Sequence, residues 1–200
     1  MKKVLLLPAL LAACSSAPKM DNGQKFEKDQ TLSTLNDSSQ PNWADESKPF
    51  VIQDGEVQSL GIVELKGDQR PEAGMRISEN NARANLSKAI TNRMEFVFQN
   101  AEENTDADST TAKFIGSEMS SLTSHSIRVK AHWYKRYMQT QEDGSHKIKY
   151  RIYSLVTIPE TDFKKALSDA VTGAVNEHKI SSSFQEQVNK QYDKFIAKQE

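Results

Sequence analysis

The spacing of apolar residues changes along the 200-residue chain, and each spacing predicts a different element. Residues Val57–Lys66 are apolar and β-branched enough for a first strand, which Gly67-Asp68 and a turn at residues 71–74 should close. A helix is predicted next, with Ser78 as its N-cap. Its apolar residues recur every three or four positions, as on one helical face: Ala82, Leu86, Ala89, Ile90, Val97, Phe98 and Ala101.

The polar segment Glu102–Asp108 should break this helix. A second helix is predicted from the spacing of Ala112, Ile115, Met119 and Leu122. Between Ile127 and Pro159 the period falls to two, which indicates two half-buried strands. Asp143-Gly144 is a hairpin signal, so the pair should be antiparallel. The inward sets are expected to be Ile127, Val129, Ala131 and Trp133, and then Ile148, Tyr150, Ile152, Val156 and Ile158.

Two more helices are predicted after the hairpin. Pro159 should stop the second strand and Thr161 should cap the first of these helices. Its apolar face would hold Phe163, Ala166, Leu167, Ala170, Val171, Ala174 and Val175. Ser183 and Glu186 form a capping box for a last helix, which carries Phe184, Val188, Tyr192, Phe195 and Ile196. The order β-α-α-β-β-α-α, with a small sheet covered by helices, predicts a two-layer α+β domain.

The amino-terminal segment has a different pattern. Lys2 and Lys3 precede the apolar run Val4–Leu11, and small residues follow, as in a signal peptide over residues 1–13. The run is too short for the roughly 20 residues of a transmembrane helix. Residues 14–56 are mostly polar and are predicted to be a flexible tether. The folded domain should then occupy residues 57–177, with the C-terminal helix at 178–200.

Residues 11–14, Leu-Ala-Ala-Cys, resemble the lipobox of bacterial lipoproteins. The resemblance implies a diacylglycerol on Cys14, cleavage just before it, and an acyl chain such as palmitate on the new amino terminus. Two or three acyl chains bind a membrane stably, at about 0.8 kcal/mol for each buried methylene. Ser15 stands where many inner-membrane lipoproteins have Asp, which implies the outer membrane, with the domain facing the periplasm or the surface. The alternative is an ordinary secretory leader followed by a chance cysteine.

Composition agrees with a folded domain plus an appendage. Apolar residues make up 36% of the chain, below the roughly 45–50% of globular proteins. Without Lys2 and Lys3 in the leader, the 26 basic side chains fall to 24 against 27 acidic ones, so no nucleic-acid partner is expected. Cys14 is the single cysteine, which excludes an internal disulfide and a cysteine-rich metal site.

The folded part is similar to the LPP-twenty family of outer-membrane lipoproteins, which includes flagellar members. The likeness spans residues 61–175. It rests on the alanine-rich helix opening Asn81–Leu86 (NARANL), on the basic hairpin, and on Tyr153–Pro159 (YSLVTIP) running into a helix. The resemblance implies a structural or assembly role in the cell envelope, with self-association or envelope proteins as partners.

The polar face of the hairpin is predicted to gather six cations, with His132, Tyr134 and Tyr153 among them: Arg128, Lys130, Arg136, Lys147, Lys149 and Arg151. A basic face with aromatic side chains suits an anionic envelope ligand such as lipid headgroups, acidic polysaccharide or peptidoglycan. The alternative is that these side chains keep the sheet soluble and discourage edge pairing.

No pattern points to catalysis or to a metal. His125, His132, His146 and His178 lack the HxxxH and HExxH spacings. No serine lies in GxSxG, and no glycine-rich loop could cradle a phosphate. We therefore expect a non-enzymatic protein without a cofactor, apart from the covalent lipid on Cys14.

Two functions of different classes follow. The first is a lipid-anchored structural or assembly lipoprotein of the outer membrane, associated with the envelope or with a flagellum. The second is a periplasmic binding module whose basic hairpin face captures an anionic envelope ligand such as peptidoglycan.

Overall fold

The computed structural model describes residues 29–101, 109–141, 143–177, 181 and 185–191. Five strands and four α-helices lie in these ranges, besides three 3₁₀ helices of three residues each. The strands and α-helices are β1 (Gln30–Thr34), β2 (Phe50–Gln53), β3 (Glu56–Lys66), α1 (Pro71–Ala101), α2 (Ser109–Thr123), β4 (Arg128–Thr140), β5 (His146–Pro159), α3 (Glu160–Asn176) and α4 (185–191).

The strands form one sheet in the order β1-β4-β5-β3-β2, and every neighbouring pair is antiparallel. This confirms the predicted α+β class. The predicted order of elements is incomplete, because β1 and β2 precede the strand that the sequence places first. The hairpin β4–β5 is confirmed, and Gly144 at its turn has the positive φ of +78° that glycine adopts without strain.

The prediction of a flexible tether up to residue 56 is wrong for residues 30–56. Strand β1 pairs with the outer edge of β4, and β2 pairs with β3. Between them, residues 35–48, which we call the strap, cross the sheet face opposite the helices. Ala44 of the strap is fully buried against Leu60, Trp133 and Tyr153. A few isolated apolar residues are thus enough to hold this polar segment on the sheet, because the hairpin presents Trp133 and Tyr153 to them. Residues 14–28 lie outside the described ranges.

Helix α1 begins earlier than predicted, at Pro71 instead of after Ser78. Proline suits the first helical position because the backbone N–H that it lacks has no partner there in any case. Ser78 therefore lies inside the helix, fully buried, and is not an N-cap. The predicted break at Glu102–Asp108 lies outside the described residues.

The main core lies between the sheet and the helices. Leu86, Ile90 and Met94 of α1, Ile115 and Met119 of α2, and Val156 and Ile158 of β5 are all essentially fully buried there. The predicted apolar face of α2 is confirmed except for Leu122, which is 44% exposed.

Helix α3 begins at Glu160, directly after Pro159, so Thr161 is inside it and does not cap it. Its predicted apolar face is confirmed from Phe163 to Ala174, with Val175 packed at the edge of the core. Val188 of α4 is fully buried in the same core. The C-terminal helix therefore docks on its own domain at that residue. The predicted cap Ser183 and the side chains of Phe184, Tyr192, Phe195 and Ile196 lie outside the described ranges.

A β-bulge between Val129 and Ala131 changes which residues of β4 face the helices. The expected inward set holds for Ile127, which packs against the main core, and for Val129, which pairs with Val156 on the helix face and is 36% exposed. It is wrong for Ala131 and Trp133, which lie on the outer face, Trp133 together with Tyr153. Beyond the bulge, His132, Tyr134 and Arg136 pair with Ser154, Ile152 and Tyr150 on the helix face. The alternation predicted for β5 holds, but its residues 152–158 are buried on both faces because the strap covers the outer one.

Candidate functional site

The outer face of the hairpin carries a network of ion pairs. Glu64 of β3 accepts Lys149 Nζ at 3.4 Å and Arg151 Nη1 at 3.2 Å. Arg151 also binds Glu46 of the strap. At the other end of the sheet, Lys130 in the bulge binds Glu56. Three of the six predicted cations are thus already paired with carboxylates of their own chain.

Two tyrosines extend this network into the outer core. Tyr137 Oη donates to Glu64 Oε1 at 2.8 Å, and Tyr153 Oη donates to Glu46 Oε1 at 2.7 Å. Burial, together with the adjacent Glu64 carboxylate, raises the pKa of Tyr137 to about 12. Burial and the Glu46 hydrogen bond likewise raise the pKa of Tyr153. Both hydroxyls therefore stay protonated and act as hydrogen-bond donors at neutral pH.

The same contacts set the ionisation of Glu64. Partial burial by itself would raise the pKa of its carboxyl. The Tyr137 hydrogen bond and the charges of Lys149 and Arg151 outweigh that effect, so the pKa lies below its ordinary value. The carboxylate remains charged and binds the strands β3, β4 and β5 together.

The six predicted patch residues do not share one face. Arg128, Lys147, Lys149 and Arg151 lie on the outer face and Lys130 lies in the bulge, whereas Arg136 pairs with Tyr150 on the helix face. The prediction of a single basic face is corrected on this point, because the sequence alternation does not reveal a bulge. Arg128 and Lys147 form no ion pair with any residue that the structure describes.

The strap supplies contacts to the sheet that no pattern in the sequence indicates. Trp133 Nε1 donates to Ser38 Oγ at 3.1 Å, and the Trp133 and Tyr153 rings lie 5.5 Å apart. Glu46 reaches both Arg151 and Tyr153. Scattered polar residues have no periodicity, so only the three-dimensional fold identifies them as a layer on the sheet.

On the sheet face that the helices cover, a row of hydrogen-bonded polar side chains runs from Glu79 of α1 through His132 to the buried Ser154 and Ser78. Glu79 Oε1 lies 3.2 Å from His132 Nε2, and His132 Nδ1 lies 2.9 Å from Ser154 Oγ. Ser154 Oγ is in hydrogen-bond contact with Ser78 Oγ, which donates to the Met75 carbonyl at 2.9 Å. The residue types match those of a Ser–His–acid triad, but the sequence separates them too widely for a motif to show.

The surroundings of Ser154 indicate a structural role for this row of polar side chains. Ser154 and Ser78 are both 0% exposed, because α1 packs directly on the sheet at this point. A Cβ atom added at Gly61 beside them would overlap the Ser78 and Ala82 backbone. A substrate carbonyl would need to lie about 3 Å from the serine oxygen, and the close packing leaves no space for one.

Two asparagines inside helix α1, Asn81 and Asn85, also have structural contacts. Asn81 Nδ2 donates to the Ile62 carbonyl and Asn85 Nδ2 to the Leu60 carbonyl, each at 2.9 Å. Both carbonyls lie on the side of β3 that β2 pairs with, but past Ser59, where the pairing with β2 ends. The two asparagines therefore occupy backbone acceptors that another strand could otherwise pair with.

An open groove of about 900 Å³ lies near the turn end of the hairpin, where β3 leaves the sheet. It is lined by Lys66, Gly67, Asp68, Arg136, Lys147, Ile148 and Lys149. Gly67 N donates to the Ile148 carbonyl at 2.9 Å, which closes the groove on one side. Ile148 is 42% exposed, so the groove has an apolar floor between cationic walls.

The remaining predicted features are placed as follows. His125 lies in a short turn after α2 and His146 at the start of β5, while His178 and Cys14 lie outside the described ranges. Within those ranges, no three His, Cys, Asp or Glu side chains are grouped so that they could hold a metal ion. Nor does any helix there combine the length and apolar character needed to cross a membrane.

Comparison of the chain with protein-family models, with curated proteins and with solved structures gives no match.

Proposed function

We propose that this protein is a lipid-anchored structural or assembly lipoprotein of the outer membrane, with its domain facing the periplasm. The observation that carries the proposal is Cys14, the single cysteine, placed directly after a basic, apolar leader and the small residues Ala12 and Ala13. In the lipobox that this segment resembles, the cysteine is the acylated residue, and two or three acyl chains bind a protein stably to a membrane.

The arrangement of the folded part supports attachment through the amino terminus. The chain enters the domain at Gln30, which pairs with Met138 beside the turn end of the hairpin. Strand β1 and the strap then bind the entering segment to both β4 and the outer sheet face. An anchor upstream of residue 29 would thus be joined to the rigid sheet and not to a peripheral loop.

The charge arrangement supports a structural role over capture of a ligand by the outer hairpin face. Lys130, Lys149 and Arg151 are paired with Glu56, Glu64 and Glu46. A ligand anion on that face would have to compete with these carboxylates. We propose a non-enzymatic role that acts through contacts with neighbouring envelope proteins or with further copies of the chain, in keeping with the resemblance to the LPP-twenty family.

Membrane fractionation tests the anchor. The full chain should be found in outer-membrane pellets, and Cys14→Ala should move it to the soluble fraction or leave it in the inner membrane with its leader attached. Ser16→Ala, a matched change two residues away, should leave the location unchanged. Outer-membrane retention of the Cys14→Ala protein would contradict the anchor.

Cross-linking in intact membranes tests the assembly role. Full-length protein should yield a defined oligomer or a defined adduct with an envelope protein. A protein that stays monomeric, and that co-sediments with purified peptidoglycan in a salt-sensitive way, would instead support the binding-module function.

A further inference from the structure

The groove at the turn end of the hairpin contains cations that the rest of the molecule does not neutralise. Lys66, Arg136 and Lys147 form no ion pair within the described residues, while Lys149 is paired with Glu64 on the outer face. Asp68 is the one carboxylate among the lining residues. The groove therefore has a net positive lining.

Arg136 is the central cation of this groove. Its guanidinium lies 5.8 Å from the centre of the Tyr150 ring, which in turn packs edge-on to Tyr134 at 5.7 Å. Its Nε is buried without a hydrogen-bond partner in the part of the chain described. The stem of Arg136 is thus fixed on the sheet by aromatic packing, and its charge remains available to an anion.

The lining combines this charge with the apolar side chain of Ile148, and a tyrosine lies next to it. Ile148 forms an exposed apolar floor. Half-buried Met138 pairs with Ile148, and half-buried Tyr150 pairs with Arg136, so both lie on the sheet beside the lining residues. Tyrosine presents an apolar ring and a polar hydroxyl, which suits it to the boundary between hydrocarbon and water. A small soluble anion would use the cations alone, whereas a lipid headgroup with its first methylenes would use both parts of the lining.

We infer that this groove binds the anionic headgroup of a lipid in the same membrane that carries the acyl chains of Cys14. The inference rests on the proposed function, because it requires that the chain be tethered there. It adds a second, non-covalent contact with the bilayer and fixes which end of the domain faces the membrane.

The point at which the upstream segment joins the domain favours the groove end over the far end as the one nearer the bilayer. Asp29 follows Cys14 by fifteen positions, and fifteen residues reach at most about 54 Å even when fully extended. Residue 30 lies opposite Met138 at the turn end, on the strand that carries Arg136. The opposite end of β5, at Pro159, is ten residues beyond Lys149, or about 34 Å farther away. Tethering thus keeps the groove end at a high effective concentration near the headgroups.

Fluorescence quenching on vesicles tests this orientation with the full-length acylated protein. Acylated Cys14 leaves no other thiol, so a fluorophore can be attached after His146→Cys at the groove end or after Thr161→Cys at the far end. Vesicles of phosphatidylcholine, with or without phosphatidylglycerol, carry a lipid-bound quencher. We expect quenching at position 146 to rise when phosphatidylglycerol is present and quenching at position 161 to stay low.

Charge removal supplies the matched comparison. Because one cation near an anionic surface contributes about 1 kcal/mol, Arg136→Gln should lower the ratio of docked to undocked protein about fivefold. Lys147→Gln should act in the same direction, and Arg136→Lys should retain most of the docking. Arg128→Gln, which removes an unpaired cation at the opposite end of β4, should have no effect. Circular dichroism would verify that each variant is folded.

Equal quenching at both positions, or no response to phosphatidylglycerol, would overturn the inference while leaving the anchor intact. Self-quenching between labels at position 146, without lipid quenching, would show that a second copy occupies the groove and would equally overturn it. Failure of the anchor has a different signature, since an unacylated protein would not remain on vesicles of either composition.

Discussion

Tyr153 Oη donates a hydrogen bond to Glu46 Oε1 across 2.7 Å, although the two residues are 107 positions apart. This contact joins the centre of the sheet to a segment whose composition is that of a linker. It brings a carboxylate over Arg151 and helps to hold the strap on the outer face. The amino-terminal segment is therefore part of the fold from Gln30 onward.

Removing this hydroxyl should weaken the fold. Tyr153→Phe is expected to lower the free energy of unfolding by about 1 kcal/mol, because the Glu46 hydrogen bond is charged but its acceptor is partly solvated. Tyr134→Phe is the matched control, since the Tyr134 hydroxyl has no hydrogen bond within the described residues. Urea unfolding measures both, and equal losses in the two variants would contradict a role for the Glu46 contact.

Two glycines should respond in opposite directions to the same substitution. Gly61→Ala places a Cβ against the Ser78 and Ala82 backbone, so we expect a loss of about 1–3 kcal/mol or more from overpacking between β3 and α1. Gly173→Ala meets no atom within 4 Å in helix α3 and should gain up to about 1 kcal/mol from helix propensity. Thermal unfolding compares them, and a neutral Gly61→Ala would show that α1 does not pack this closely on the sheet.

Asn81 and Asn85 of α1 should protect the edge of strand β3 and contribute little to net stability. Asn85→Ala loses the bond to the Leu60 carbonyl, worth about 1 kcal/mol, but gains about 0.7 kcal/mol of helix propensity. Unfolding free energy should therefore change little, whereas self-association should increase. Sedimentation velocity measures the association. Asn80→Ala, an exposed neighbour, should leave the protein unassociated, and the same result for Asn85→Ala would refute the edge role.

Acid should destabilise the domain through Glu64. Its pKa in the folded state lies below the ordinary value of 4.5, so its contribution is complete above pH 4.5 and is lost as the pH falls through the folded-state pKa. Glu64→Gln should remove part of this acid sensitivity. Urea unfolding between neutral pH and pH 3 tests this, and an unchanged pH slope in the variant would exclude Glu64 as a source.

The sequence predicts those parts of the fold in which the apolar period is regular. Strand β3, the helix pattern of α1 to α3 and the β4–β5 hairpin all follow from spacings of two or of three and four residues. The sequence does not predict the start of α1 at Pro71, because a proline and a glycine close together suggest a turn. Here both residues are helical, and the lack of a side chain at Gly74 lets α1 approach Ile152.

The candidate sites could be predicted less completely, for two physical reasons. A bulge inserts one residue without any change in composition, so no feature of the sequence marks it. The bulge places Arg136 on the face opposite Arg151. Ion pairs depend on tertiary placement, and the partners Glu46, Glu56 and Glu64 come from segments far from the hairpin in sequence. The groove combines β3, β4 and β5, and only the assembled sheet brings these residues together.

The amino terminus of the mature protein tests the central claim most directly. Intact-mass and peptide mass spectrometry of protein extracted from membranes should show a chain that begins at Cys14 and carries a thioether-linked diacylglycerol and an amide-linked acyl chain. A mature chain with an unmodified Cys14, or one that still begins at Met1, would contradict the account.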